Sequence, residues 1–237
     1  IMLFLLAIGL IFGLILALKK KDLFSRFVLV WCLFPILRIS LPPSINFDGI
    51  RHFLEFLPAA ALLAGIGANW LIQLFFRWKR VPKTLLATLF VLLIVFNTAL
   101  NFKDYGFYQH IYFNRISGGL AEGQTRFGAA EATDYWAVSY RQGIEWLNQN
   151  APENSALHVP VGGHLVDLTA PLWLRPDIEL IGEEMLTQKR TEGRMVFIMM
   201  VTRPDFYNRV AEICIDERTP VFQLKIQDFP ILLICRW

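Results

Sequence analysis

The solvent this chain is built to meet changes near Leu100. Before that point come four apolar runs: Ile1–Leu18, Leu23–Leu41, Phe53–Phe76 and Thr84–Leu100. Each approaches the ~20 residues a helix needs to cross ~30 Å of hydrocarbon. A chain that is 55% hydrophobic with a mean hydropathy of +0.44 suits a membrane protein better than a soluble one of this size. The expected fold class is therefore a membrane all-α region of four transmembrane helices over residues 1–100. A small extracytoplasmic α/β domain over residues 101–237 follows it.

Charge supports the division. Residues 1–100 carry ten Lys/Arg against Asp22, Asp48 and Glu55, while residues 101–237 carry thirteen against seventeen Asp/Glu. The basic excess belongs to loops flanking membrane spans. It is not a nucleic-acid footprint, which needs a basic face on the soluble part. Lys19–Lys21 follow the first run, and Arg77, Lys79, Arg80 and Lys83 separate the third from the fourth. The positive-inside rule puts both basic loops in the cytoplasm, so the Pro42–His52 loop and everything after Leu100 face outside. Ile1–Leu18 does not read as a cleaved signal peptide, because no basic segment precedes it. A chain that starts at Ile1 inside an apolar run is expected to be a piece of a longer protein.

Arg26 and Arg38 lie near the ends of the second run, where snorkelling to head groups explains them. Ala59–Ala61, Ala64, Gly65, Gly67 and Ala68 form a small-residue face suited to close helix packing in lipid. Trp31, Trp70 and Trp78 suit either an interfacial or a bundle position.

In the outer domain, Asn101–Asp134 has weak periodicity and reads as an aromatic, Gly-rich loop region. Ser139-x-x-Gln142 predicts a capping box, opening a helix with Tyr140, Ile144 and Leu147 on one face. Strands are expected over Ser155–Val161, Met195–Val201, Val221–Ile226 and Ile231–Cys235, and Asp177–Ile181 is a short apolar run. A helix is expected from Pro204 to about Ile215. Cys214 and Cys235 could join outside the cytoplasm, but two buried free thiols is the expectation.

Catalytic signatures are sparse. His158 and His164 flank Gly162-Gly163 with Asp167 nearby, and loop or sheet-surface histidines are expected rather than a metal site. Neither Gly-Gly pair has dinucleotide or Walker spacing. Glu183-Glu184 reads as a solvated pair. No cofactor is evident. A divalent metal is not indicated, and no metal ligand is assigned. The suggestive cluster is Asp48, Arg51, His52 and Glu55, which fall at i, i+3, i+4 and i+7 on a helical start at the membrane surface. A guanidinium there can hold a phosphate in bidentate fashion, so Asp48, Arg51 and His52 are the candidate lipid-phosphate site. An interfacial salt-bridge cluster that anchors the helix is the competing reading.

The run from Asp48 to Gly65, DGIRHFLEFLPAAALLAG, resembles a late transmembrane helix of GT-C glycosyltransferases of the dolichyl-phosphate-mannose–protein mannosyltransferase type (glycosyltransferase family 39). YQHIYFNRISGG from Tyr108 and DYWAVSYRQGIEWLNQNAP from Asp134 look like the outer segment of bacterial members. The resemblance implies a multi-pass cell-membrane enzyme, in the bacterial inner membrane. It would move a sugar from a polyprenyl-phosphate carrier to an acceptor glycan, lipid or protein on the outer face. The family's catalytic acid lies in an early outer loop, upstream of this chain, so no catalytic residue is carried over. The chain alone is expected to be inactive. The alternative is a non-enzymatic membrane-anchored protein whose outer domain binds a partner or carbohydrate. The aromatics Tyr105, Tyr108, Tyr112, Tyr135 and Trp136 could stack on sugars, form an interfacial belt or form a core.

Overall fold

Apolar residues with few charges favour long helices, and the chain begins with four. The computed structural model describes residues 2–42, 53–79, 82–113, 118–126 and 133–237. Helices α1 (Met2–Lys19), α2 (Leu23–Ser40), α3 (Phe56–Lys79) and α4 (Lys83–Tyr105) are each long and apolar enough to cross a membrane. Two boundaries differ from the predicted runs. Phe53–Glu55 make a tight turn before α3, so Pro58 falls in the helix's first turn, where a missing N–H costs nothing. Helix α4 runs five residues beyond Leu100, until Gly106 takes a positive φ of 54°.

The chain separates into two compact units, Ile1–Thr98 and Ala99–Trp237. In the first, α1 and α3 meet backbone to backbone. A Cβ on Gly9 would lie 1.7 Å from the Leu63 carbonyl oxygen, and one on Gly67 would lie 2.2 Å from that of Leu5. Ala59, Ala60 and Ala64 are buried, whereas Gly65 faces open space. Part of the predicted small-residue face therefore packs as read. Trp70 stacks on Phe12 with ring centroids 4.2 Å apart, a bundle position. Asp22 caps α2 by accepting from the Ser25 N–H at 2.8 Å. Arg26 does more than snorkel: its Nε donates to the Ala17 carbonyl at 2.9 Å, closing the end of α1.

In the second unit, helices α5 (Gly119–Arg126), α6 (Tyr140–Asn150), α7 (Gly163–Trp173), α8 (Leu186–Thr191) and α9 (Arg209–Asp216) accompany five strands. These are β1 (Ala156–His158), β2 (Glu179–Leu180), β3 (Val196–Val201), β4 (Phe222–Ile226) and β5 (Phe229–Arg236), in the order β2-β1-β3-β5-β4. β1 is parallel to both β2 and β3, while β5 is antiparallel to β3 and β4. The sheet is mixed, with helices on both faces of its centre. Gly143 of α6 lies over Met199 and Leu232. Cys214 of α9 reaches Cys235, whose register partner Ile198 points away from Met199. That double cover explains why every residue of β3 is buried.

Several local expectations are corrected. Cys214 and Cys235 form a disulfide rather than two free thiols, because α9 and β5 bring their Cα atoms to 5.9 Å. Cys32 is the free, buried cysteine. Ser139 caps α6 by position, but its side chain makes no capping bond. Asp134 instead binds the N–H of the cap residue itself, accepting from Ser139 N–H at 2.6 Å. Strand β1 stops at His158, before Pro160, and Gly162 with φ 63° opens α7, a helix the sequence reading missed along with α8. Asn208, not Pro204, caps the following helix, by accepting from Ala211 N–H at 3.0 Å. The weakly periodic Asn101–Asp134 segment holds the end of α4, a 3-10 turn at Gln109–Ile111 and α5. Tyr105 and Tyr108 are buried there with Ile111, Leu120 and Ile231, so of the three uses open to them they serve as core.

Candidate functional site

The α2 sequence presents Phe27, Val30, Trp31, Phe34, Pro35 and Arg38 at i, i+3, i+4, i+7, i+8 and i+11. That spacing is one helical stripe. The opposite stripe, Ser25, Val28, Leu29 and Cys32, is buried. The first stripe and Glu55, at the turn before α3, line a groove of about 360 Å³. Its wall is aromatic and aliphatic, and its polar groups sit at one end. There the Arg38 guanidinium donates through Nη2 to Glu55 Oε1 at 3.2 Å. Both side chains are half exposed, so this pair contributes little to stability. Its consequence is positional: a charge-bearing end closes an apolar channel that runs along a membrane-length helix.

Asp48, Arg51 and His52 lie outside the described residues. In sequence they lie in the link between α2 and α3. Of the predicted cluster, the described member Glu55 pairs with a cation from another span, which the one-helix reading of i, i+3, i+4 and i+7 did not foresee. The aromatic stripe of α2 was also missed, although its spacing was present in the sequence.

The second unit contains a further concentration of polar groups. Asp134 is fully buried, and its Oδ1 lies 2.9 Å from His110 Nε2 while its Oδ2 accepts from the Ser139 N–H. Burial alone would raise its pKa, but hydrogen bonds from His110 and Ser139 and the His110 charge hold it below the ordinary carboxylate range. This arrangement ties the segment after α4 to the start of α6. Tyr140 donates its hydroxyl to the Val161 carbonyl and accepts from the Val201 N–H at 3.3 Å, joining the segment after β1 to the end of β3. Burial pushes the Tyr140 hydroxyl pKa up, so it remains a donor. Tyr135 and Phe206 sandwich the Arg203 guanidinium at 4.3 and 4.1 Å. Trp136 is half exposed.

His158, His164 and Asp167 line one cleft, with His158 buried and the other two exposed. Among the described residues, no group of three or more His, Cys, Asp or Glu is placed to hold a metal ion. Glu183 accepts from Asn208 Nδ2 at 2.8 Å, tying the β2–α8 connection to the α9 cap. No protein-family model matches the chain, and no curated protein matches its sequence.

Proposed function

We propose that the chain works as part of a polytopic membrane glycosyltransferase of GT-C type, moving a sugar from a polyprenyl-phosphate carrier to an acceptor on the outer face of the membrane. The observation that carries this reading is the apolar groove along α2, with Arg38 and Glu55 at its end. An isoprenoid chain needs an apolar channel that reaches a polar terminus at head-group depth. The Asp48–His52 link supplies Arg51 and His52 next to that terminus in sequence. In displacement at the anomeric carbon, negative charge grows on the departing phosphate, and a guanidinium or imidazole beside it lowers the barrier. Arg51 and His52 are assigned that task. An acceptor base is also required and is not assigned to any residue of this chain.

The Cys214–Cys235 disulfide supports an outward-facing soluble unit, since such bonds persist outside the cytoplasm. The positive-inside bias of Lys19–Lys21 agrees. The deciding assay is sugar transfer from a polyprenyl-phosphate donor by the intact protein in proteoliposomes. Arg51→Ala should lower kcat/KM by roughly 100-fold, the scale of losing one charge-stabilising contact to the transition state, with expression unchanged. Unaltered kinetics in that variant would reject the assignment.

A further inference from the structure

The carboxyl ends of parallel strands are where open α/β sheets build ligand sites, because the loops there diverge around a crevice. In this sheet the ends of β1 and β2 frame a cleft of about 350 Å³ with the first turn of α7. His158, the last residue of β1, lines it and is 7% exposed. Its Nδ1 lies 3.1 Å from the Ile181 carbonyl oxygen. A carbonyl only accepts, so Nδ1 must carry the proton, and in the neutral ring Nε2 is left as a bare acceptor. That Nε2 is buried and has no hydrogen-bond partner among the described residues. An unmatched acceptor of this kind costs about 1–3 kcal/mol.

The rest of the cleft is complementary. Gly162 caps α7 without a side-chain acceptor. The Leu165 N–H turns back to the Gly162 carbonyl at 2.9 Å, leaving the Gly163 and His164 N–H groups at the open end of the helix. A Cβ built on Gly163 would meet nothing within 4 Å, so the approach to those groups is clear. Asp167, one turn later, makes no hydrogen bond or ion pair with a described residue and lines the same cleft. Val159, Leu180 and Ile181 supply an apolar wall.

We propose that this cleft binds a saccharide unit. One ring hydroxyl donates to His158 Nε2 and a neighbouring one to Asp167, while the Gly163 and His164 N–H groups donate to sugar oxygens. The C–H face of the ring lies on the apolar wall. An anion fits less well, because Asp167 and an acceptor-only nitrogen both oppose negative charge. The volume is at the small end of ligand pockets, suited to a monosaccharide rather than a nucleotide or lipid. Choosing a sugar over other polyhydroxyl molecules rests on the glycosyl-transfer reading. Binding is measured without turnover, however, so the two can fail separately.

The test is saturation-transfer NMR and calorimetry on the full chain in nanodiscs. The probes are the methyl α-glycosides of mannose, glucose and galactose, N-acetylglucosamine, and inorganic phosphate. At least one saccharide should bind with millimolar affinity. His158→Phe and the exposed Asp167→Ala should each weaken it by ~10-fold, the equivalent of one hydrogen bond to a bound hydroxyl. Asp167→Ala keeps the test decisive if His158→Phe fails to fold. Absence of saccharide binding would overturn the proposal, as would binding of phosphate alone. Saccharide binding left intact by Asp167→Ala would place the sugar elsewhere and equally overturn it.

Discussion

Removing the Cys214–Cys235 crosslink tests how the second unit is held together. The bond closes a loop of 21 residues between α9 and β5. For a loop of that length the chain-entropy argument gives about 3 kcal/mol of stabilisation, through restriction of the unfolded chain. Both cysteines are fully buried, so replacing them with Ala also removes packed sulfur. Comparing oxidised with reduced wild type avoids that loss and isolates the crosslink. The assay is hydrogen exchange of the β3 and β5 amides in detergent-solubilised full chain, which reads the local unit rather than the apolar helices. Protection at Ile198, Met199 and Ile234 should fall roughly 200-fold on reduction, the ratio equivalent to about 3 kcal/mol. Thiol counting supplies a check. Denatured, unreduced protein should alkylate one cysteine, Cys32, and reduced protein should alkylate all three. Equal protection with and without reductant, or three reactive thiols before reduction, would refute the argument.

Two further changes probe other parts of the fold. Gly9→Ala forces a methyl group into the Leu63 carbonyl and should destabilise the α1–α3 pair by about 1–3 kcal/mol, whereas Gly65→Ala, with nothing within 4 Å, should not. Equal melting temperatures for the two variants in the same detergent would contradict the close-packing account. Asp134→Asn removes the charged acceptor shared by His110 and the Ser139 N–H and should cost about 2–3 kcal/mol at neutral pH. Because the Asp134 pKa is lower folded than unfolded, its contribution is complete above the unfolded value of about 4 and disappears as pH falls through the folded value. The wild-type advantage over Asp134→Asn should therefore shrink in acid. A gap that stays constant down to pH 2 would sink the linkage.

What could be read from the sequence followed periodicity, and what could not depended on contacts distant along the chain. The four long apolar helices were legible because a helix long and apolar enough to cross a bilayer announces itself by length and composition alone. Val196–Val201 was legible as a covered strand because a seven-residue apolar run from Met195 has few other uses. Helix α7 was not, since Gly162-Gly163 reads as a turn while Gly162 serves as a left-handed cap. The capping box failed for a similar reason. Ser139 has the right neighbours, but Asp134, five residues earlier, takes with a stronger acceptor the Ser139 N–H that the box leaves to Gln142. The disulfide depends on α9 lying across β5, and no local pattern encodes that crossing.

The two candidate sites divide along the same line. In the α2 groove every wall residue falls on one helical stripe, so the face could have been read from Phe27, Trp31, Phe34 and Arg38 alone. Its polar end could not, because Arg38 lies on α2 and Glu55 in the turn before α3, 17 residues apart. For the cleft, the sequence showed His158, His164 and Asp167 as neighbours and suggested loop or sheet-surface histidines. Their difference appears only in three dimensions. His158 ends a buried strand and gives its Nδ1 proton to Ile181, 23 residues away, while His164 and Asp167 stand on an exposed helical turn. It is this asymmetry, one tautomer fixed by the sheet beside a carboxylate left to the ligand, that favours a hydroxyl-bearing ligand over an anion.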